Sequence, residues 1–157
     1  MTGMTPAEEF RYLVLAAQRE GNRMLLDALR PLGLTPSQAE AIRVLHDHGP
    51  LSLVDLGVLL VCETSSPSRL IDGLVTSGLA DRVPAPGDRR RVELSLTDAG
   101  RASEAAVRQV ETTIYGLIGN SLGMDALAAT NAALRTIVAG RPAGIAVERR
   151  RGGNPAL

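Results

Sequence analysis

The chain has 157 residues, of which 45% are hydrophobic, and 17 basic and 17 acidic residues give it a formal net charge of zero. This length suits one domain, or one domain with a dimerisation arm, and the zero net charge counts against nucleic-acid binding unless basic residues cluster locally. The sequence contains no uninterrupted apolar run of about 18 residues, so no membrane span is expected. One cysteine cannot form an intramolecular disulfide, which indicates a cytoplasmic location.

The N-terminal third is predicted to be helical. Residues 1–9 lack the basic and apolar regions of a secretory signal. Residues 6–30 form a long amphipathic helix that Pro31 and Gly33 end, and residues 36–47 form a second helix closed by Gly49 and Pro50. The apolar side of the first helix comprises Phe10, Leu13, Val14, Ala17, Met24, Leu25, Ala28 and Leu29.

Two short helices follow, separated by a polar turn. Leucines at 56, 59 and 60 mark the first helix, and apolar residues at 70, 71, 74 and 75 mark the second. Thr64, Ser65 and Ser66 are N-cap candidates for the second helix, and proline is tolerated in a first helical turn. Gly78 ends that helix in the manner of a C′ glycine.

A basic β-hairpin is predicted next. Residues 79–83 and 91–96 form its strands, because apolar and polar residues alternate along the second segment. Its tip, residues 84–90, carries arginines and no bulky apolar side chain, which suits either contact with a polyanion or a solvated turn. Thr97 then caps a helix that runs to about residue 119, and residues 124–139 form a last helix. Residues 141–157 are expected to be a flexible basic tail.

Helix, turn, helix and basic hairpin is the order of a winged helix-turn-helix, in which the second helix enters the major groove of DNA and the wing reaches the minor groove. Several segments give the chain a resemblance to the MarR family of bacterial transcriptional regulators over roughly residues 8–140. These segments are Leu34-Thr35-Pro36-Ser37-Gln38, Leu56-Gly57 with Leu60, Ser68-Arg69-Leu70-Ile71-Asp72-Gly73-Leu74, Gly78-Leu79, Asp88-Arg89-Arg90 and Leu96-Thr97-Asp98-Ala99-Gly100-Arg101.

The resemblance implies a mainly α fold with a small β-hairpin wing and with N- and C-terminal dimerisation helices. Residues 1–33 would be the N-terminal dimerisation helix, residues 34–100 the DNA-binding unit, and residues 101–140 the C-terminal dimerisation helices. Apolar faces on the terminal helices have no partner within the central unit, and a two-fold dimer would bury them. The alternative is a monomeric helical bundle. A homodimer would match a pseudo-palindromic double-stranded operator.

Candidate DNA-binding residues lie on the second short helix and on the wing. They are Ser65, Ser66, Ser68, Arg69, Arg82, Asp88, Arg89, Arg90 and Arg91. Arg69 is the best candidate for base or phosphate contact, although it could instead pair with Asp72 one turn later. By the resemblance, Asp88 orients the guanidinium of Arg90, which enters the minor groove. The other wing arginines would contact phosphates.

The family resemblance also implies a repressor that a small-molecule effector releases. The aromatic residues of the chain cluster in the two helices that would line such a cleft, and the candidate pocket residues are Phe10, Tyr12, Leu13, Ile114 and Tyr115. Ordinary core and dimer packing would explain the same clustering. Two alternative functions are a thiol-based redox regulator that uses Cys62 and a winged-helix module that binds protein.

Catalytic and metal chemistry find little support. His46 and His48 flank Asp47, but no further ligand is near in sequence, so no metal site is expected. No phosphate-binding loop, nucleophile elbow or Cys-x-x-Cys pair occurs. The sequence therefore predicts neither an enzyme nor a protein with a cofactor.

Overall fold

The computed structural model describes residues 3–62 and 66–152. Within them lie α1 (Pro6–Leu29), a short 3-10 helix (Arg30–Leu32), α2 (Pro36–His48), α3 (Leu53–Leu59), α4 (Pro67–Thr76), β1 (Ala80–Ala85), β2 (Asp88–Leu96), α5 (Asp98–Leu122), α6 (Met124–Val138) and α7 (Pro142–Arg151). The predicted fold class, mainly helical with one β-hairpin, is confirmed. Among the described helices, none has the length and apolar content needed to cross a bilayer.

Local sequence signals set most helix starts. Thr5 and Glu8 form a reciprocal capping box on α1, as Thr35 and Gln38 do on α2. Thr97 caps α5 as predicted, because its hydroxyl accepts a hydrogen bond from the amide of Gly100 at 3.0 Å. Each of these side chains satisfies an amide that would otherwise lack a partner in the first turn.

The core of the winged unit forms where α1, α2, α3, α4 and α5 meet. Leu29, Ile42, Leu56, Ile71 and Val107 come one from each of these helices, and each is fully buried. Close packing of such side chains fixes the relative positions of the helices. Helix α4 is therefore held on its apolar side and has its opposite side free.

Helix α4 ends in a tight turn that leads directly into the wing. Gly78 has φ +71°, and the amides of Gly78 and Leu79 donate to the carbonyls of Val75 and Leu74. These bonds make a Schellman motif, in which glycine is favoured because φ is positive. The predicted C′ role of Gly78 is confirmed. Gly100 then lets α5 approach the same turn, since a Cβ at this position would lie 1.9 Å from the Leu79 carbonyl oxygen.

The wing is longer and more tightly closed than the sequence predicts. Strands β1 and β2 pair antiparallel from Ala80↔Leu96 to Ala85↔Asp88, with an irregularity after Pro84. The predicted seven-residue tip is therefore wrong, and Pro86 and Gly87 form the turn between the strands. The predicted apolar alternation holds only at the base, because Leu94 and Leu96 are buried whereas Val92 is 49% exposed.

A further backbone pairing anchors the base of the wing. Leu51 and Leu94 exchange two backbone hydrogen bonds, of 3.1 and 2.7 Å. This isolated bridge joins the segment between α2 and α3 to β2. The wing is therefore tied at its base and projects freely beyond it.

The terminal helices expose large apolar side chains. In α1, the described side chains are exposed or half-buried except that of Leu29, and α6 contains no buried residue. Exposed apolar residues on α1, α5 and α6 include Phe10, Leu13, Val14, Met24, Leu117, Ile118, Leu122 and Ile137. The apolar side predicted for the first helix is thus largely uncovered in a single chain.

The predicted flexible tail is wrong for residues 142–151. These residues form α7, whose Gly144 and Ala146 are buried. Pro142 occupies the first turn of α7, where proline is tolerated, and Arg149, Arg150 and Arg151 lie in the last turn, where cations favour the helix dipole. Residues 153–157 of the predicted tail lie outside the described residues.

Candidate nucleic-acid interface

Helix α4 presents a polar face to the outside. Ser66 caps it, with its hydroxyl 3.3 Å from the amide of Arg69, and Pro67 is its first residue. Ile71 and Leu74 are buried on the inner side, whereas Ser68 and Arg69 are exposed. The first turn of α4 therefore offers a serine, an arginine and the positive end of a helix dipole to an anionic partner. Ser65, another candidate DNA-binding residue, lies outside the described residues.

The predicted alternative role of Arg69, a pair with Asp72, does not occur. Asp72 instead forms an ion pair with Arg82 of β1. This pair joins the exposed side of α4 to the wing, and both side chains keep substantial exposure, 40% for Arg82 and 56% for Asp72. Arg82 is thus partly neutralised, while the guanidinium of Arg69 forms no ion pair among the described residues.

The wing carries three consecutive exposed arginines. Arg89, Arg90 and Arg91 lie on β2 rather than in the turn, and their guanidinium groups form no ion pair within the described part of the chain. Asp88 accepts a hydrogen bond from the backbone amide of Arg90 at 2.9 Å. This contact differs from the expected one, in which Asp88 orients the guanidinium. Asp88 therefore fixes the backbone at the start of β2 and leaves the arginine side chain extended into solvent.

Other arginines are neutralised between helices. Arg43 of α2 forms ion pairs with Glu104, with Glu111 at 3.1 Å and with Asp47 at 3.4 Å. Its side chain is only 15% exposed and that of Glu104 only 5%. Burial lowers the pKa of the Arg43 guanidinium, but the bond to Glu104 and the surrounding carboxylates outweigh this and raise it.

The same ion-pair network contains a candidate set of metal ligands. Ligand atoms of His46, Asp47 and Glu104 lie within 4.8 Å of one another. Arg108 lies 2.6 Å from Glu104 and 3.6 Å from Asp47, so guanidinium groups already neutralise both carboxylates. A divalent cation there would be repelled by Arg43 and Arg108. The arrangement fits a structural link between α2 and α5.

A cavity of ≈ 1130 Å³ lies between the winged unit and α1, α5 and α7. It is lined by Gln18, Asn22, Leu25, Pro36, Glu40, Gly57, Val58, Leu60, Val61, Cys62, Pro67, Glu111, Tyr115, Pro142, Ala143, Ile145, Arg149 and Arg150. Of the five predicted pocket residues, Tyr115 lines this cavity and Phe10, Tyr12, Leu13 and Ile114 do not. Tyr12 instead lies on the exposed side of α1, under the guanidinium of Arg11 at 4.9 Å from the ring centroid.

Cys62 lines the cavity in a setting that suppresses its thiolate. Its backbone amide donates to Glu40 Oε2 at 2.9 Å. Burial, followed by the hydrogen bond and the charge of Glu40, raises the pKa of the Cys62 thiol to about 11. A reactive thiol needs a lowered pKa and a nearby cation. The geometry therefore favours an unreactive thiol at this position.

Sequence reasoning missed two of these contacts. The Asp72–Arg82 pair spans α4 and β1, and Glu40 contacts residues 21 and 22 positions away. Residue spacing along a helix identifies neighbours three or four positions apart. These contacts join residues at least ten positions apart, so helical spacing could not predict them.

Comparison with known proteins agrees with this geometry. The sequence model of the MarR family matches residues 32–91, which include α2, α3, α4, β1 and the start of β2. MarR of Escherichia coli K12, the multiple antibiotic resistance protein, is 29% identical over 90 residues, which are 57% of this chain and 62% of that protein. Over this region the chain is similar to proteins of the MarR family. Its alignment thus spans somewhat less than two thirds of the length of this relative.

A second relative has a name that refers to peroxide. The organic hydroperoxide resistance transcriptional regulator of Bacillus subtilis is 28% identical over 106 residues, which cover 68% of this chain and 72% of that protein. The name of this relative describes it as a regulator of transcription.

Solved structures share the fold. A cysteine-to-serine mutant of Escherichia coli MarR complexed with operator DNA superposes with a TM-score of 0.74 at 24% identity, covering 83% of this chain and 94% of that one. BpsR of Bordetella bronchiseptica, whose DNA binding is regulated by 6-hydroxynicotinic acid, gives 0.77 at 22% identity and covers 88% and 99% of the two chains.

Proposed function

We propose that this chain is a DNA-binding transcriptional regulator of the MarR family, and specifically a repressor. One observation carries the proposal: the exposed side of α4 and the wing bear four arginines, Arg69, Arg89, Arg90 and Arg91, whose guanidinium groups have no ion-pair partner among the described residues. In a chain of zero net charge, such a concentration of uncompensated cations fits a phosphate backbone. A relative with the same fold crystallised with operator DNA adds support.

The proposed roles divide between the two elements. Ser66, Ser68 and Arg69 lie at the N-terminal end of α4, which would enter the major groove with its first turn towards the bases. Arg90 would enter the adjacent minor groove, with Arg89 and Arg91 on phosphates. Arg82 would act mainly by holding the wing against α4 through Asp72.

We propose that the regulator acts as a homodimer. Phe10, Leu13 and Val14 on α1 and Leu117 and Ile118 on α5 are all more than 40% exposed. Burial of such side chains against a second copy stabilises the dimer by about 25 cal/mol for each Å² of apolar area. Residues 1–33 and 101–140 would then be the dimerisation segments, and residues 34–100 the DNA-binding unit.

We propose the cavity beside Cys62 as the effector site. It adjoins both the segment leading into α4 and the helices of the proposed dimer, so a bound molecule could bias the orientation of α4. Leu25, Val58 and Ile145 offer apolar contacts, and Arg149 and Tyr115 offer polar groups. An organic acid of small size fits this lining, and BpsR, with the same fold, responds to 6-hydroxynicotinic acid.

Fluorescence anisotropy with the intergenic DNA beside the gene would test the proposal, over a range of salt concentrations and with excess unrelated DNA. We expect saturable binding by one dimer that survives the competitor. Arg90→Ala should weaken binding and lower the slope of log affinity against log salt by about one unit for each phosphate that the arginine no longer neutralises. Arg23→Ala is the matched control, because Arg23 lies on α1 in an exposed pair with Glu20.

Two results would contradict the proposal. Binding by the unsubstituted chain that disappears as competitor is added would exclude specific recognition of this DNA. Equal affinity and slope for Arg90→Ala and the unsubstituted chain would exclude the wing as a contact. In the latter case, capture of an acidic protein by the wing would become the better explanation of its arginines.

A further inference from the structure

Helix α7 is seated closely on the body of the protein. It packs against α3 and α6, and its Gly144 and Ala146 are buried. A Cβ at residue 144 would lie 2.1 Å from the carbonyl oxygen of Val138, so this close approach requires glycine. Glu148 also lies 3.5 Å from Arg135 of α6. These contacts give α7 a defined position next to the winged unit.

The last turn of α7 reaches the winged unit through one carboxylate. Arg150 Nη1 lies 2.7 Å from Glu40 Oε1, although the two residues are 110 positions apart. The same oxygen accepts from the amide of Val61 at 2.7 Å, and Glu40 Oε2 accepts from the amide of Cys62 at 2.9 Å. Glu40 is 15% exposed and Arg150 is 32% exposed. Glu40 thus joins α2, α7 and the chain that follows α3.

The amides that Glu40 binds lie at a sensitive point. Val61 and Cys62 lie in the chain between α3 and α4, so we expect their backbone directions to influence where α4 begins. In the described chain, these two amides obtain their hydrogen bonds from a side chain of α2 rather than from a helix or strand. A carboxylate this little exposed needs its partners, because an uncompensated charge in such a place is unfavourable.

We propose that α7 is an intramolecular latch: Arg150, through Glu40, holds the backbone of Val61 and Cys62 in place and so preorganises α4 for DNA. The proposal rests on the proposed function. Arg150 acts as a positioning residue and does not itself contact DNA. Without it, Glu40 loses its cation, takes up water and holds the two amides less firmly. The DNA-competent orientation of α4 is then less populated, and the apparent affinity falls by the same factor.

Two measurements on Arg150→Ala would test the latch. Amide hydrogen exchange followed by NMR should show Val61 and Cys62 exchanging about tenfold faster than in the unsubstituted protein. Affinity for the specific DNA should fall about fivefold with an unchanged salt slope. Arg150→Lys should show smaller changes in exchange and in affinity than Arg150→Ala, because an ammonium also neutralises Glu40.

Arg151→Ala is the matched control. Arg151 is the neighbouring residue in the same helix, and its partner is Glu148 of that helix at 2.9 Å, with both side chains more than half exposed. Such a pair contributes little, so exchange at Val61 and Cys62 should stay unchanged. The comparison separates removal of the Arg150–Glu40 bond from a general loosening of α7.

Several outcomes would overturn the latch. Equal exchange at Val61 and Cys62 in the Arg150→Ala and Arg151→Ala proteins would show that Arg150 holds nothing. Tighter DNA binding by Arg150→Ala would make α7 an inhibitor instead. A salt slope lowered by about one unit would mean that Arg150 contacts phosphate directly. If the unsubstituted chain binds no DNA, the proposed function fails, and the exchange measurement alone decides whether the Arg150–Glu40 bond holds the segment.

Discussion

Arginine has two different environments in two regions of this molecule. On the wing, Arg89, Arg90 and Arg91 are exposed and form no ion pair with any described residue. Between α2 and α5, Arg43 is 15% exposed and contacts three carboxylates. The residue type is the same in both regions, and the sequence contains no lysine, so every basic side chain other than histidine is an arginine. What differs is whether the fold supplies a counter-charge.

The difference explains how a chain of zero net charge can present a basic surface. Four acidic residues neutralise arginines where helices pack: Glu104, Glu111 and Asp47 surround Arg43, and Glu40 contacts Arg150. In each pair the opposite charges cancel, so these residues contribute little to the electrostatic potential at the protein surface. Under the proposed function, the uncompensated cations of α4 and the wing are then the ones that would meet a phosphate backbone. The distribution of partners, rather than composition, carries the functional information.

Arg43→Met should have the largest effect on stability. The substitution keeps apolar packing but leaves Glu104, with a side chain 5% exposed, with Arg108 and His46 as its remaining partners. Removing one partner from a buried pair is strongly destabilising, and the surviving Arg108 contact moderates the loss to about 2 kcal/mol. Urea unfolding followed by circular dichroism measures this as a lower midpoint with the same slope.

The contrast with the exposed arginines supplies the controls for Arg43→Met. Arg23→Met removes an exposed pair and should change the free energy of unfolding by less than about 0.5 kcal/mol. Arg90→Ala should leave stability equally unaffected while weakening DNA binding. A stability loss for Arg90→Ala as large as that for Arg43→Met would abolish the distinction between the two regions.

Cys62 should react slowly with alkylating reagents. Its reaction rate tests whether the charge of Arg150 is neutralised by Glu40 and is therefore not available to stabilise the thiolate. Arg150 pairs with Glu40, and burial together with Glu40 raises the pKa of the Cys62 thiol from an ordinary 9.0 to about 11. The thiolate fraction at pH 7.5 is then roughly 100-fold smaller. A more basic thiolate is also a better nucleophile, so alkylation should be about tenfold slower than that of a free cysteine.

Mass spectrometry of iodoacetamide-treated protein measures this rate, with N-acetylcysteine and the urea-unfolded chain as references. The rate should rise with pH through about 11 in the folded protein. Peroxide treatment at neutral pH should leave DNA affinity unchanged. Alkylation faster than that of N-acetylcysteine would instead indicate an activated thiol and favour the redox-sensing alternative.

The parts of the fold that the sequence predicted well are those fixed by neighbouring residues. Thr97 as an N-cap and Gly78 as a C′ residue depend on contacts within a few positions, and both are confirmed. The wing was predicted too short, because strand pairing continues past Val83 into residues without apolar alternation. Alternation reports burial of one face, and the outer part of the wing has no buried face.

Helix α7 shows why the remaining contacts were out of reach. Pro142 and the run Arg149-Arg150-Arg151 resemble a solvated tail by composition, yet they occupy the first and last turns of a packed helix. Its seat depends on the close approach of Gly144 to Val138 and on Arg150 meeting Glu40. The second contact spans 110 positions, and only the folded chain brings these groups together.

The smallest expected effect is the loss of the contribution of Asp47 to the free energy of unfolding when the pH is lowered. Burial raises the pKa of this carboxyl, but the hydrogen bond from His46 and the charges of Arg43 and Arg108 outweigh it and lower the pKa below its ordinary 3.8. A carboxylate with a lowered folded-state pKa stabilises the fold above the unfolded pKa and loses that contribution as pH falls through the folded value. Because Asp47 is 39% exposed, solvent screening limits the contribution to a few tenths of a kcal/mol.

Asp47→Asn should therefore be slightly less stable than the unsubstituted protein at pH 7, and the difference should close as the pH falls below about 4. Urea unfolding of both proteins at about pH 7, 5 and 3 measures this difference in the free energy of unfolding. In an Arg43→Met background the same substitution should cost less, since one of the charges that favour the ionised carboxyl has been removed. A difference that grows on acidification would show that Asp47 is better bound when protonated, and it would separate Asp47 from the carboxylates that neutralise arginine between α2 and α5.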